Sequence, residues 1–114
     1  MIEVTSIKNV PSQKFLIKYG QDFCIPCEIT ENNLKDIECF FDFPFYSTKN
    51  VDEAVERGYK NLPVVVICNN GNWIETNESS VLMNKDELKK WISDNNELKD
   101  AIVLNEGENN VSIW

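Results

Sequence analysis

The chain contains no histidine, no apolar stretch near the roughly 18 residues a membrane-spanning helix needs, and no basic stripe. Each absence excludes something. Without histidine the commonest general base and metal ligand near neutral pH is gone, so any catalysis rests on cysteine, carboxylate, lysine or tyrosine. Without a long apolar run, no membrane span is expected. The opening Met1-Ile2-Glu3-Val4-Thr5 has neither the basic segment nor the apolar stretch of a secretory signal, and a cytoplasmic protein is the resulting expectation. With 19 acidic residues against 11 basic ones, a formal net charge of −8, the surface repels phosphate backbones and disfavours nucleic acid as a partner. Internal repeats and long linkers are also lacking. The 114 residues are therefore read as one domain over 1–114 with one modest core, its main unit at about 15–93.

What is present is cysteine, four residues of it. In a reducing compartment stable structural disulfides are rare, so four cysteines suggest redox or metal chemistry before a covalent scaffold. Cys24 and Cys27 are separated by Ile25-Pro26 and lie between a strand-like run and a helix-like one. Two thiols so spaced can close a disulfide if the backbone curls as in a first helical turn. Unpaired amide N–H groups and the positive end of the helix dipole then favour the thiolate of the first cysteine. Such a thiolate can attack another disulfide, and its neighbour can resolve the mixed disulfide that forms. A zinc site would need Cys39 and Cys68 as well, leaving different strands to converge on one helix start. No metal or other cofactor is expected, and both are read as buried small apolar residues.

Phe15-Leu16-Ile17-Lys18-Tyr19, stopped by Gly20, reads as a mostly buried strand. Ile25 to about Ile37 reads as a helix with Ile29, Leu34 and Ile37 on one side and Pro26 harmlessly in its first turn. Glu38 to Tyr46 reads as a second strand with Pro44 near its end. Asn50-Val51-Asp52-Glu53 has the form of a capping box, Glu53 reaching back to Asn50. The helix it opens would bury Val51, Ala54, Val55 and Tyr59 and close at Gly58. Leu62 to Cys68 reads as a strand, Asn69-Asn70-Gly71-Asn72 as a hairpin turn, and Trp73 to Thr76 as the returning strand. Asn84 then caps a helix with Leu88, Trp91 and Ile92 inward. Strand–helix–strand demands a parallel pair, and the hairpin adds an antiparallel one. The expected fold class is therefore α/β, one mixed four-stranded sheet flanked by helices. Short N- and C-terminal extensions lie outside it, where Ile2–Val4, Ala101–Leu104 and Val111–Trp114 could add strands.

A Cys-x-x-Cys pair at the end of the first strand, with a later strand opened by Leu62-Pro63, resembles the thioredoxin superfamily. The stretch Asp52 to Val65 is similar to small glutaredoxin-like redoxins that reduce ribonucleotide reductase, whereas Pro26, just before the second cysteine, is the thioredoxin pattern. The likeness covers roughly Phe15 to Ser93. It implies a thioredoxin-like fold and a thiol–disulfide oxidoreductase with Cys24 attacking and Cys27 resolving. It further implies that Pro63 is the family's cis-proline beside the dithiol, and that the backbone at Leu62 receives extended substrate. Phe23, Ile25, Pro26 and Leu62 would form the apolar rim on which substrate binds. Implied partners are a disulfide-bearing protein, with ribonucleotide reductase the specific candidate, and thioredoxin reductase or glutathione as electron source. The alternatives are a glutathione-dependent glutaredoxin and a redox-inert interaction module on the same fold. Departures matter. The glutaredoxin Gly-Gly pair and following aspartate are missing after Trp73, and Phe23 stands where thioredoxins carry tryptophan. Counted without a gap, Lys18 replaces their buried aspartate; counted with residues 19–23 as an insertion, it matches a glutaredoxin lysine that helps bind glutathione.

Overall fold

A computed structural model describes the backbone of residues 1–104 and side chains through residue 96. Its strands are β1 (Ile2–Glu3), β2 (Lys14–Tyr19), β3 (Phe45–Thr48), β4 (Val64–Asn69) and β5 (Asn72–Thr76). Its α-helices are α1 (Ile25–Ile37), α2 (Val51–Glu56), α3 (Ser79–Leu82) and α4 (Lys85–Leu104). The sheet runs β1-β3-β2-β4-β5. Strands β1, β3 and β2 are mutually parallel neighbours, and β4 is antiparallel to both β2 and β5. The α/β class and the mixed sheet match the expectation, but the sheet has five strands rather than four. Ile2–Glu3 supplies the fifth, along the exposed edge of β3.

The central strand explains the two-layered core. Side chains alternate along a strand, and β2 is buried on both faces, so its run has no polar stripe. Leu16 joins Leu34 and Ile37 of α1, Leu82 of α3, and Leu88 and Ile92 of α4 on one face. Phe15, Ile17 and Tyr19 join Ala54 of α2, Tyr59 and Val66 on the other. Asn70 and Gly71 turn the β4–β5 hairpin with φ of 53° and 89°. Positive φ at both central residues is what a type I′ turn needs, and Asn-Gly supplies it at low steric cost.

Several expected boundaries move. The strand read over Glu38–Tyr46 is a 3₁₀ turn at Glu38–Phe40 followed by β3, which begins only at Phe45. Pro44 therefore precedes the strand instead of ending it: it has no N–H to give, but its carbonyl accepts the Leu16 N–H at 3.0 Å. Cys39 in that turn is exposed, against the expectation of burial, whereas Cys68 is buried. Val51 and Val55 face solvent, because α2 is too short to present a wide face and seats Glu53 and Ala54 and, beyond Gly58, Tyr59. Ala101–Leu104 continues α4 rather than forming a strand, and Val111–Trp114 lies outside the described residues. The short helix α3 had no counterpart in the sequence pattern. Among the described residues, no helix is long and apolar enough to cross a membrane.

Candidate functional site: a disulfide at a helix start

Strand β2 ends at Tyr19, and after four intervening residues the chain reaches Cys24, the N-cap of α1. Its backbone is extended (φ −126°, ψ 102°), and its Sγ accepts the Cys27 N–H at 3.2 Å, as a serine or aspartate cap oxygen would. Cys24 and Cys27 are joined in a disulfide, their Cα atoms 5.2 Å apart. Both cysteines are largely buried, Cys24 at 9 % exposure being less so than Cys27 at 2 %. An amide and a helix dipole so placed favour a thiolate over a thiol at a helix N-cap.

The residues expected to form an apolar rim lie next to this pair in the chain or across the groove from it. Phe23 is fully exposed, Ile25 is 71 % exposed, and Pro26 lies open in the first turn of α1. Phe23 has φ of 56°, a left-handed conformation disfavoured for a bulky side chain. The Tyr19–Val64 pairing carries Pro63 to the dithiol end of the sheet, and the Leu62–Pro63 peptide is cis. Pro26, half-buried Leu62 and Pro63 line one groove, whose other wall is Leu82 and Met83 of the α3 region. All seven residues expected at the site thus lie at one end of the sheet. Cys68 lies at the opposite end of β4, paired with Phe15, and Cys39 lies beyond the C-terminus of α1. At about 1.5 Å rise per residue, a helix of this length puts Cys39 nearly 20 Å from the dithiol.

Two further features lie outside the seven expected site residues. The first is the α3 wall of the groove, with Met83, which is 38 % exposed. The second lies behind Cys27. Lys18 is 5 % exposed, and its Nζ donates to Glu31 Oε1 at 2.7 Å and reaches the Cys27 carbonyl at 3.5 Å. Glu31 sits one helical turn beyond Cys27, and its other oxygen meets Lys35 at 3.3 Å. Partial burial alone would raise the Glu31 pKa, but hydrogen bonds and charge from Lys18 and Lys35 outweigh it and hold the carboxyl below its ordinary value. Gly20 leaves the room: a Cβ there would lie 2.7 Å from Lys18 Cε and 3.4 Å from Cys27 Cβ. Lys18 thus occupies a buried position behind Cys27.

A β-α-β-α-β-β-α frame with a disulfide across a Cys-x-x-Cys at the first long helix, beside a cis-proline, is the thioredoxin fold. Solved structures agree. A thioredoxin mutant from Halobacterium salinarum superposes with a TM-score of 0.65 at 20 % identity, covering 82 % of this chain and 88 % of that one. Mitochondrial thioredoxin 3 from Saccharomyces cerevisiae gives 0.63 at 24 % identity, covering 82 % and 94 %. Thioredoxin f2 from Chlamydomonas reinhardtii gives 0.65 at 15 % identity, covering 83 % and 95 %. No protein-family model and no curated protein sequence matches the chain.

Proposed function

We propose that this protein is a thiol–disulfide oxidoreductase that reduces protein disulfides through Cys24 and Cys27. The observation that carries this is the Cys24 sulfur, capping α1 and bonded to Cys27, with Cys24 the less buried residue of the two. The Cys24 thiolate attacks a substrate disulfide and expels one substrate thiolate, forming a mixed disulfide. Cys27, as thiolate, then attacks Cys24 Sγ; the bond to substrate breaks, and the second substrate sulfur leaves and takes a proton from solvent. Substrate is reduced by two electrons and the protein is left as its disulfide, which an external dithiol must reopen. Pro26 gives no N–H to the neighbouring sulfur, which limits thiolate stabilisation and suits an electron donor over an oxidant.

Pro63 and Leu62 are assigned the edge that receives an extended substrate segment, and Phe23, Ile25 and Pro26 the apolar contact around it. Ribonucleotide reductase is the specific substrate candidate, and a flavin-dependent thioredoxin reductase the preferred electron source. Glutathione is itself anionic, and the net charge of −8 disfavours it modestly. The test is insulin-disulfide reduction. Cys24→Ser should abolish it, whereas Cys27→Ser should accumulate mixed disulfides visible by mass spectrometry. Full activity of Cys24→Ser would refute the role assignment. Robust turnover driven by glutathione but not by thioredoxin reductase would move the protein to the glutaredoxin branch, and inactivity with every dithiol would favour an interaction module.

A further inference from the structure

Resolution of the mixed disulfide requires Cys27, the buried cysteine, to lose a proton at the moment of attack. A carboxylate behind the sulfur could take that proton, but the side chain placed there is an ammonium. Lys18 is 5 % exposed, reaches the Cys27 carbonyl, and shares with the Cys27 Cβ the small space left by Gly20. The charges facing Cys27 can be followed element by element. From β2 comes Lys18; from α1 come Glu28 and Glu31; from the loop before the helix comes Asp22, and from the segment after β3 Lys49. Asp22 and Lys49 pair with each other at 2.8 Å on the open surface and largely cancel. Glu28 is exposed, so solvent screens it. Glu31 divides its two oxygens between Lys18 and Lys35, so one carboxylate faces two cations and the buried one keeps an excess of positive field. The carboxyl of Glu31, held below its ordinary range, is also a weak base.

We propose that Lys18 is an electrostatic positioning residue for Cys27: its buried ammonium stabilises the Cys27 thiolate that closes the disulfide, and Glu31 sets how much of that charge the sulfur feels. The proposal rests on the dithiol reading above and deepens it. No carboxylate base is needed, because the Cys27 proton leaves to solvent through the polar cleft lined by Lys18, Gln21, Asp22 and Asn32. The thiolate electron pair then forms the bond to Cys24 Sγ as the substrate sulfur departs. The oxidant is the substrate disulfide itself.

The experiment measures Cys27 directly and needs no protein substrate. In a Cys24→Ser background, alkylation of Cys27 is followed against pH by peptide mass spectrometry, which separates it from Cys39 and Cys68. Removing a neighbouring cation with Lys18→Met should move that curve to higher pH by at least about one unit. In the protein that retains Cys24, Lys18→Met should slow release of thionitrobenzoate from its mixed disulfide with Cys24 about three- to fourfold per unit at neutral pH, the more basic thiolate recovering part of the loss. Lys18→Arg should stay within about twofold of the parent, since the positive charge remains. Glu31→Gln, which leaves the Lys18 charge less neutralised, should move the curve the opposite way, to lower pH. That sign reversal is something a loosened structure would not produce, and it serves if Lys18→Met does not fold. Superimposed curves for parent, Lys18→Met and Glu31→Gln, or shifts of both variants in the same direction, would overturn the proposal. A wild-type protein that fails to reduce insulin, while the Cys24→Ser series shows the opposed shifts, overturns the substrate reading alone. Insulin reduction with superimposed curves does the reverse.

Discussion

Glu53 shows how far one side chain can exceed its local role. Its N–H is capped by Asn50 Oδ1 at 3.0 Å, as the capping box implies, but its carboxylate does not turn back to Asn50. It accepts from Ser6 Oγ at 2.5 Å, the Ile7 N–H at 2.9 Å and the Tyr19 hydroxyl at 2.8 Å, tying the N-terminal segment and β2 to α2. Burial alone would raise its pKa. The donors from Ser6, Ile7 and Tyr19, helped by Arg57, win and hold it below the ordinary value of 4.5. Burial and the same carboxylate push the Tyr19 hydroxyl up, beyond any physiological titration. A carboxyl depressed in the folded state contributes stability that is full above its unfolded value and lost as pH falls through the folded one. Glu53→Gln should therefore destabilise by about 2 kcal/mol at neutral pH, the scale of hydrogen bonds to a charged acceptor. The gap should close as pH drops below about 4.5, where the unfolded carboxyl protonates. Denaturant unfolding at several pH values checks this. A gap below about 0.5 kcal/mol at neutral pH, or one that widens in acid, would refute it. At this scale the sequence announced Cys24, Cys27 and Pro63, because dithiol and proline chemistry needs fixed residue types at fixed spacing. The capping box marked Glu53 and the family comparison marked Lys18, but neither revealed the partners they reach, and Glu31 carried no signal, since those partners lie 13 to 47 residues away in the chain.

Elements were legible where local chemistry decides them. Helix α1 spans Ile25–Ile37 as read, because the cysteine cap, Pro26 and the Leu34 and Ile37 spacing all act within a few residues. The Asn-Gly turn fixed the hairpin for the same reason. The aromatic run Phe41 to Phe45 was misjudged because propensity there competes with tertiary packing: Phe41, Phe43 and Phe45 lie ring to ring at 5.6 to 5.9 Å beneath the helices. The two asparagine caps make a quantitative contrast. Among the described residues, Asn84 Oδ1 accepts the Glu87 N–H alone, at 3.1 Å on the surface. Asn50 does the same for Glu53 and also donates to the Thr5 carbonyl at 2.8 Å. Asn84→Ala should cost roughly 0.5–1 kcal/mol, an ordinary cap, and Asn50→Ala roughly 1.5–2, because a tertiary bond goes with the cap. Chemical denaturation of both variants decides the order, and a larger loss at Asn84 would contradict this account of the N-terminal segment.

For the molecule as a whole, the question is why a fold that buries Phe15, Phe43 and Phe45 leaves Phe23 entirely in solvent at a left-handed backbone position. Neither choice helps folding: the ring buries nothing, and φ of 56° costs a bulky residue on the order of 1 kcal/mol. A strained residue in the loop before a dithiol, flanked by exposed Ile25 and Pro26, makes sense if the cost is recovered when a partner covers it. Stability and activity should then separate at this residue. Asparagine tolerates the left-handed region, so Phe23→Asn should leave unfolding stability unchanged or raise it by about 0.5–1 kcal/mol. The same variant should raise the KM for insulin several-fold, the cost of losing a peripheral apolar contact of about 1 kcal/mol. Reduction of a small aromatic disulfide, which cannot reach the rim, should be almost unchanged. A loss of more than 1 kcal/mol in stability would mean that the ring supports the fold, and equal losses on both substrates would mean that the residue shapes the dithiol itself. Only the split outcome fits a docking rim held ready at some expense to the folded state.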